Sequence, residues 1–313
     1  MPYNNIISRT DAQSMIPEQV SNILLKQLPY QSAALQLSRR TTMSTNQTRM
    51  PVLAALPTAY FVSGDTGLKQ TTEMAWANKF LNVEELAAIV PIPENVLDDA
   101  AFDIWGEVRP HLEAAIGRTL DAAVFFGVNK PSSWPDSIAT SVAAAGNTVD
   151  RGTNLAATGG LAGDISDVMA TVEADGFSVT GIVTQRSYLG RFRQVRSTQG
   201  ERLLDVDLNT QMVEGAKYQL AMDGLWPTGA DSAELFAGDF SNSIVAVRKD
   251  FTYKVLTEAV IQDNTGAIVY NLAQQDMVAL RVVFRVAWQV ANLINYQQPT
   301  EASRYPWGAL LTP

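Results

Sequence analysis

Apolar residues recur in steps of four at Ile104, Val108, Leu112, Ile116, Leu120 and Val124. That step keeps side chains on one side of an α-helix, so the stretch predicts a long amphipathic helix, with Ala115 and Ala123 widening its buried stripe. Glu107, Arg109, Glu113, Arg118 and Asp121 fall largely off the stripe. Asp98 and Asp99 precede the first turn, where carboxylates meet free N–H groups, and Gly127 stands where a left-handed cap ends a helix. One helix from Ala101 to Phe126 would be roughly 39 Å long, a spine on which the rest of the chain is arranged. Pro110 removes the bond to the Gly106 carbonyl, which predicts a kink between the two.

The chain has 313 residues, enough to bury a sizeable core as one large domain or two. Its 46% hydrophobic and 18% charged content is that of an ordered protein. A net charge of −9 repels nucleic acid on average and argues against sequence-specific DNA binding. With no cysteine, disulfides, thiolate metal sites and cysteine nucleophiles are excluded. The start, MPYNNIISRTDAQSM, lacks the layout of a signal peptide, and no run approaches a membrane span. A cytoplasm-like compartment without membrane contact is the expectation.

Residues 1 to 45 read as an arm, with a short apolar pattern at Val20, Ile23, Leu24 and Leu28 and then a polar, basic SRRTTMSTNQT. Met50 to Val90 reads as a long hairpin: MPVLAALPTAYFVS runs up, SGDTGLKQTTE turns, and ANKFLNVEELAAIVPI runs back. A two-stranded excursion of that length is not stable alone, so it should rest on something, another copy foremost. PSSWPDSIATSVAAAGNTVDRGTN reads as a loop-rich connector. Leu161 to Ala174 predicts a second amphipathic helix, buried at Leu161, Ile165, Val168, Met169 and Val172 and closed by Gly176. A strand, SVTGIVT, and a short helix, Ser187 to Val195 with Tyr188, Leu189 and Phe192 inward, follow. The last third predicts strands at NSIVAVRK, FTYKVLTEAVIQ and DMVALRVVFRVAWQVANLI, with a turn at IQDNTGA. From Val278 to Val290 every second residue is apolar, with Arg281 and Arg285 opposite, the pattern of a half-buried strand.

Signals of chemistry are sparse. The one histidine, His111, has no second His or Cys to complete a zinc site and reads as structural. No nucleophile elbow, zincin or phosphate-loop motif occurs. Asp205, Asp207 and Asn209 open like a calcium loop, but Thr210 stands where Gly is needed and Ala216 where Glu is needed. Arg186, Arg191, Arg193 and Arg196 form a basic cluster that reads as a solvated face or as ion pairs to a neighbouring subunit before phosphate contact. Glu84 and Glu85 read as surface residues. Neither enzyme activity nor a cofactor or metal is expected. An enzyme acting on carbohydrate or nucleotide would need a pocket of convergent polar groups and would be monomeric by light scattering.

LAAIVPIPENVLDD, then a long helix containing AAIGRTLDAAVFFG, then a loop with Trp-Pro, resembles the major capsid proteins of tailed bacteriophages, the Hong Kong 97-like fold. MPVLAALPTAYFV with Trp76, GFSVTGIVTQRSYLGRFRQVRSTQGERLL, and AELFAGDFSNSIVAVRKDFTYKVLTEA before MVALRVVFRVAWQVANLI fit the same family in the same order. The resemblance runs from about Met50 to about Asn295 and implies an α+β fold. An N-terminal arm would take 1–49, an extended β-hairpin, the E-loop, 50–85, and a P-domain with the spine helix 86–127. An A-domain would take 128–240, P-domain strands and P-loop 241–290, and a C-terminal tail, 291–313, would return to the A-domain.

By the same resemblance the protein self-assembles through hexamers and pentamers into an icosahedral shell around double-stranded DNA, assembled in the bacterial host cytoplasm and retained in the virion. An encapsulin-type compartment is the alternative. The implied partners are further copies of the chain, a separate scaffolding protein, a portal, a decoration protein, and packaged DNA bound without sequence specificity. Relatives often begin with a scaffolding region that is later cut away, whereas here Met1 lies close to the arm; scaffold is then a separate protein or not required. Lys69, Trp76, Asp263, Asn264, Gly266, Arg186 and Arg191 are candidate intersubunit contacts. Arg39 and Arg40 are candidate DNA contacts, equally readable as intersubunit ion pairs. Some relatives join an E-loop lysine to a neighbour's asparagine; Lys69 is suitably placed, but no partner or acidic helper is identifiable, so no cross-link is expected.

Overall fold

The computed structural model describes residues 32–62, 67–99, 103–197, 199–207, 210–222 and 224–313. The apolar pattern at Val20 to Leu28 lies outside them. The described chain opens with a short helix, α1 (Ala33–Leu37), and a strand, β1 (Arg39–Thr42). Two strands of unequal length follow, β2 (Gln47–Ala55) and β3 (Ala75–Pro93). The outgoing run was expected as one strand to Ser63, but pairing stops at Ala55, after a register slip beyond Leu53. Pro57 then has no N–H to give. The return is longer than expected and forms one strand of 19 residues.

A single-turn helix, α2 (Glu94–Asp98), separates β3 from the spine, α3 (Ile104–Asp121). This corrects the expected capping by Asp98 and Asp99: the Asp99 N–H donates to Asn95 O and ends α2, and Asp103 stands at the start of α3 without a side-chain capping bond. The spine runs through Pro110 without interruption and continues as a π-helical turn, Ala122–Phe126, to Gly127, whose φ of 72° forms the left-handed cap. Leu112, Ile116, Leu120, Ala123 and Val124 are buried as the step of four requires, while Ala115 is exposed. Gly117 and Asp121 are buried instead, because α1 lies against that flank; a Cβ on Gly117 would stand 3.3 Å from the Ser32 Cβ.

The expected connector holds an eight-residue helix, α4 (Ile138–Ala145), and a strand, β4 (Thr148–Asp150). Small residues hid the helix, yet Ser137 caps its start and Gly146 its end. Next come α5 (Leu161–Ala174), β5 (Gly181–Thr184), α6 (Tyr188–Gln194), β6 (Val206–Asp207), β7 (Met212–Val213), β8 (Ala216–Leu220) and β9 (Ala233–Gly238). In β10 (Ser243–Leu256) two expected strands are one, continued across register slips around Lys249. The chain closes with β11 (Val260–Gln262), β12 (Ile268–Asn271), β13 (Met277–Val290) and β14 (Trp307–Leu311).

Pairing sorts these strands into two sheets and a ribbon. The first sheet has the order β1-β10-β13-β3-β2, antiparallel apart from β1 beside β10. The second has the order β4-β14-β9-β5-β8-β7-β6, and β11 with β12 forms the ribbon. Leu280, Val282, Phe284, Val286, Trp288 and Val290 all face α3, and this core runs on into Phe236, Trp307 and Ala309 of the second sheet. Each such large side chain contributes about 1.5–3 kcal/mol on burial. On the far side of the second sheet, α5 and α6 bury Ile165, Val168, Tyr188 and Phe192 against Ile182, Leu235 and Leu310. The α3-free face of the first sheet carries only a small apolar cluster, Met43, Leu81, Ile244, Ala246, Ala287 and Ala291.

Candidate functional site

The feature that most needs a partner is the hairpin of β2 and β3. Between Asn82 and Val83, β3 changes neighbours: residues 83–93 pair with β13, and residues 75–82 pair with β2 beyond the edge of the body. This root is clamped. Trp134 Nε1 donates to Asn82 O at 3.1 Å, Asn82 Nδ2 donates to Ser133 O at 3.0 Å, and the Ser133 hydroxyl donates to Glu84 at 2.5 Å. Gln289 Nε2 reaches Phe80 O at 2.9 Å, Lys79 pairs with Glu301 at 3.0 Å, and the Tyr296 hydroxyl reaches Pro57 O at 2.8 Å. So the root is tied to its own chain.

Beyond the root no described residue covers the hairpin. Residues 57–62 and 67–74 are exposed throughout, with Phe61 at 104% and Leu68 at 89% of full accessibility. The two arms hold each other through Thr58 N to Thr72 Oγ1 at 2.9 Å and the Tyr60 hydroxyl to Gln70 O at 2.8 Å. Lys69 is exposed on this extension, and Trp76, opposite Leu53, is 65% exposed. Apolar exposure of this extent marks a surface that another molecule covers.

At the opposite edge the arm is fastened by Asp121, which is fully buried. Its carboxylate accepts from the Ser32 hydroxyl at 2.6 Å, Ala33 N at 2.9 Å and Ala34 N at 3.0 Å, so a side chain of α3 caps the first turn of α1. Loss of water raises its pKa to about 6 even though all three donors pull it down. The arm then continues as β1. The Arg40 Nε donates to Leu35 O and the side chain lines a cavity of about 360 Å³ with Pro110, Glu113, Phe251 and Phe284, on the α3 side. Arg39 pairs in register with Ile244, which belongs to the α3-free cluster. The two arginines proposed as one contact therefore lie on opposite faces of the first sheet.

Asp263 and Gly266 sit in the turn between β11 and β12. Asp263 accepts from Thr265 N, the Thr265 hydroxyl and Ala267 N at 2.7–2.9 Å, and the Thr265 hydroxyl is the main cause that holds its carboxyl below the usual range. Gly266 has φ of 84°, which explains a glycine there, and Asn264 is exposed beside it. Val260, Ile268, Val269 and Tyr270 of the ribbon are also exposed.

Arg186 is exposed before α6, and Arg191 is bound within its own chain. It lies 3.4 Å from Glu234 and over the ring of Tyr188, while Arg151 Nε meets the same carboxylate at 2.7 Å. Burial and Glu234 raise the Tyr188 hydroxyl. Glu234 is buried on β9, inside a strand whose apolar neighbours gave no signal of a charged centre. Glu85 pairs with Arg285 at 2.6 Å, and His111 is exposed on α3. Asp207 accepts from the Thr210 hydroxyl, and Asn209 lies outside the described residues. Among the described residues no helix is long and apolar enough to cross a membrane, and no group of three His, Cys, Asp or Glu side chains could hold a metal ion.

Comparison with known proteins agrees with a fold built for contact with other copies. A family model described as the phage capsid family matches residues 12–293. The major capsid protein of Staphylococcus phage 80alpha is 23% identical over 293 residues, which cover 92% of this chain and 86% of that protein. A structure from Microbacterium phage Oxtober96 superposes with a TM-score of 0.84 at 39% identity, covering 99% of this chain and 100% of the other. The capsid of an empty GTA particle, computed with C5 symmetry, shares the fold at a TM-score of 0.63 and 18% identity, covering 97% of this chain and 98% of the other.

Proposed function

The chain belongs to the phage capsid family and is a phage major capsid protein, and from that premise we propose that it closes an icosahedral head through hexamers and pentamers of itself. The encapsulin-type alternative is not favoured by these relatives. The observation that carries the proposal is the hairpin: its root is clamped to its own chain while residues 57–62 and 67–74 expose Phe61 and Leu68 to solvent. Burying such side chains on an adjacent subunit is the driving force expected of a stable interface.

In this reading the hairpin is the E-loop lying over a neighbour, with Lys69 and Trp76 in the contact. The spine helix, β10, β13 and the part of β3 beside β13 form a P-domain, 86–127 with 241–290. The second sheet forms an A-domain, 128–240, which the tail, 291–313, rejoins through β14. Residues 1–49 form the arm along the capsomer edge, the turn at Asp263, Asn264 and Gly266 is the P-loop tip, and Arg186 reaches a neighbour. Assembly takes place in the host cytoplasm with a separate scaffolding protein and a portal, and a decoration protein joins the shell. The head encloses double-stranded DNA, with Arg40 on the α3 side as a sequence-independent phosphate contact. The subunit performs no catalysis and takes no cofactor.

Electron microscopy and sedimentation of the purified full-length protein test this. Closed shells of uniform diameter are expected. A protein that stays monomeric at high concentration, with and without scaffolding protein, would overturn the assembly reading.

A further inference from the structure

The α3-free face of the first sheet is basic in a chain whose net charge is −9. Arg281 stands directly opposite Lys254, and Arg285 directly opposite Lys249. Residues so paired lie about 4.5–5.5 Å apart at their Cα atoms and point to the same side, where like charges repel. The face is fixed by its neighbours. Tyr253 and Val282, one residue from Lys254 and Arg281, pack with the α3 core, and Ala287, two residues from Arg285, belongs to the opposite cluster. Arg39, in register with Ile244, extends the same face onto β1.

Glu85 pairs with Arg285, which leaves one of the two facing pairs half compensated. Among the described residues Lys249, Lys254 and Arg39 have no ionic partner, and the Arg281 Nε is buried without a hydrogen-bond partner. A lone subunit gains nothing from this arrangement, because it sets repelling cations in a sheet and strands a buried donor. The cost is offset when an anionic surface covers them.

The chain supplies such a surface. Glu94, Asp98 and Asp99, on and just after α2, are exposed carboxylates with no ionic partner among the described residues, and Val96 beside them is half exposed. We propose that the stripe of Lys249, Lys254 and Arg281 docks the acidic α2 turn of a second copy. Such a contact is heterologous, one patch meeting a different patch, and repeated around an axis it closes a ring. It rests on the shell reading above and names a second contact besides the hairpin, one that sets orientation by charge.

Two sets of variants of the full-length chain test it. Lys254→Gln with Arg281→Gln removes the repulsion, so the unassembled subunit is expected to resist denaturant at least as well as the parent. Its shells are expected to need about tenfold more protein to form and to lose much of their sensitivity to salt. Lys254→Glu with Arg281→Glu is expected to abolish shells, and adding Glu94→Lys and Asp98→Lys to restore them. Normal shells from the neutral variant, or no rescue by the swapped charges from subunits that remain folded by circular dichroism, would overturn the proposal. So would normal shells that merely package less DNA, which would assign the stripe to the phosphate backbone. Shells from the unaltered chain run in parallel keep failure of this contact distinct from failure of the shell reading.

Discussion

Asp121 joins the start of the described chain to the spine, and its chemistry carries a pH signature. A carboxyl whose pKa rises from 3.8 to about 6 on folding holds its proton more tightly when folded than when unfolded. Its contribution is therefore fully present below about pH 4 and declines as pH rises toward 6, by about 3 kcal/mol in all. Asp121→Asn keeps the shape and cannot ionise. Denaturant unfolding between pH 4 and 7 is expected to show a flatter profile for the variant than for the parent across that window; parallel profiles would contradict the assignment. Asp121→Ala strands the Ser32, Ala33 and Ala34 donors and is expected to lower stability by about 2–4 kcal/mol. Hydrogen exchange at the Ala33 and Ala34 amides would locate that loss. In the sequence Asp121 read as a residue of the solvent side, because helical phase is counted against one buried stripe and the second stripe here is made by α1, 88 residues away in sequence from its capping carboxylate. Glu234 escaped notice for the same kind of reason: its two arginine partners are remote in the chain, and only the fold brings them to one carboxylate.

At the scale of elements, β9 and β14 pair inside the second sheet, and Gly238 lets them approach opposite Trp307. A Cβ there would stand 2.3 Å from the backbone oxygen of Pro306, which cannot give way, and 2.3 Å from the Trp307 side-chain Cδ1. Gly238→Ala is expected to cost about 1–3 kcal/mol in denaturant unfolding, by strain and not by lost helix or turn preference. Elements with a strong period were legible. The half-buried pattern of β13, the limits of α5 and the left-handed end of the spine at Gly127 all follow from spacing and from one special residue. Elements without one were not: α4 is largely Ala, Ser and Thr and shows no clear stripe, and β10 looked like two strands because its register slips around charged Lys249 and Asp250. The hairpin was visible as two apolar runs about a Gly- and Thr-rich turn. Its asymmetry, a short outgoing strand and a long return, arises because β3 has a second partner, β13, that keeps it extended past the root.

At the scale of the molecule, the hairpin extension and the core are separable. Residues 57–62 and 67–74 are all exposed in the described structure, so replacing residues 57–74 by a short turn is expected to leave the unfolding free energy of the subunit within about 1 kcal/mol. Shell formation, read by sedimentation and electron microscopy, is expected to be lost. A shortened chain that still closes normal shells would show that the hairpin is not what holds neighbours together. The long spine acts oppositely: it is buried against both sheets through one continuous core, so a change in its buried stripe reaches the folding of the whole subunit.

Periodicity was enough to establish that a long amphipathic helix exists, that β13 has one wet face, and that the chain carries an excursion too long to be stable by its own contacts. Each of these is a local property, because side-chain spacing sets which face of an element can leave water. Which charges are buried, which strand changes partners, and which face gathers cations depended on pairing between strands and side chains that are remote in the chain, as Glu85 with Arg285, and no local pattern encodes that. Arg39 and Arg40 state the difference most simply. They are neighbours in the chain and identical in type, yet the pleat of β1 sends one to the α3 side and the other to the basic face, and only the register against β10 says which is which.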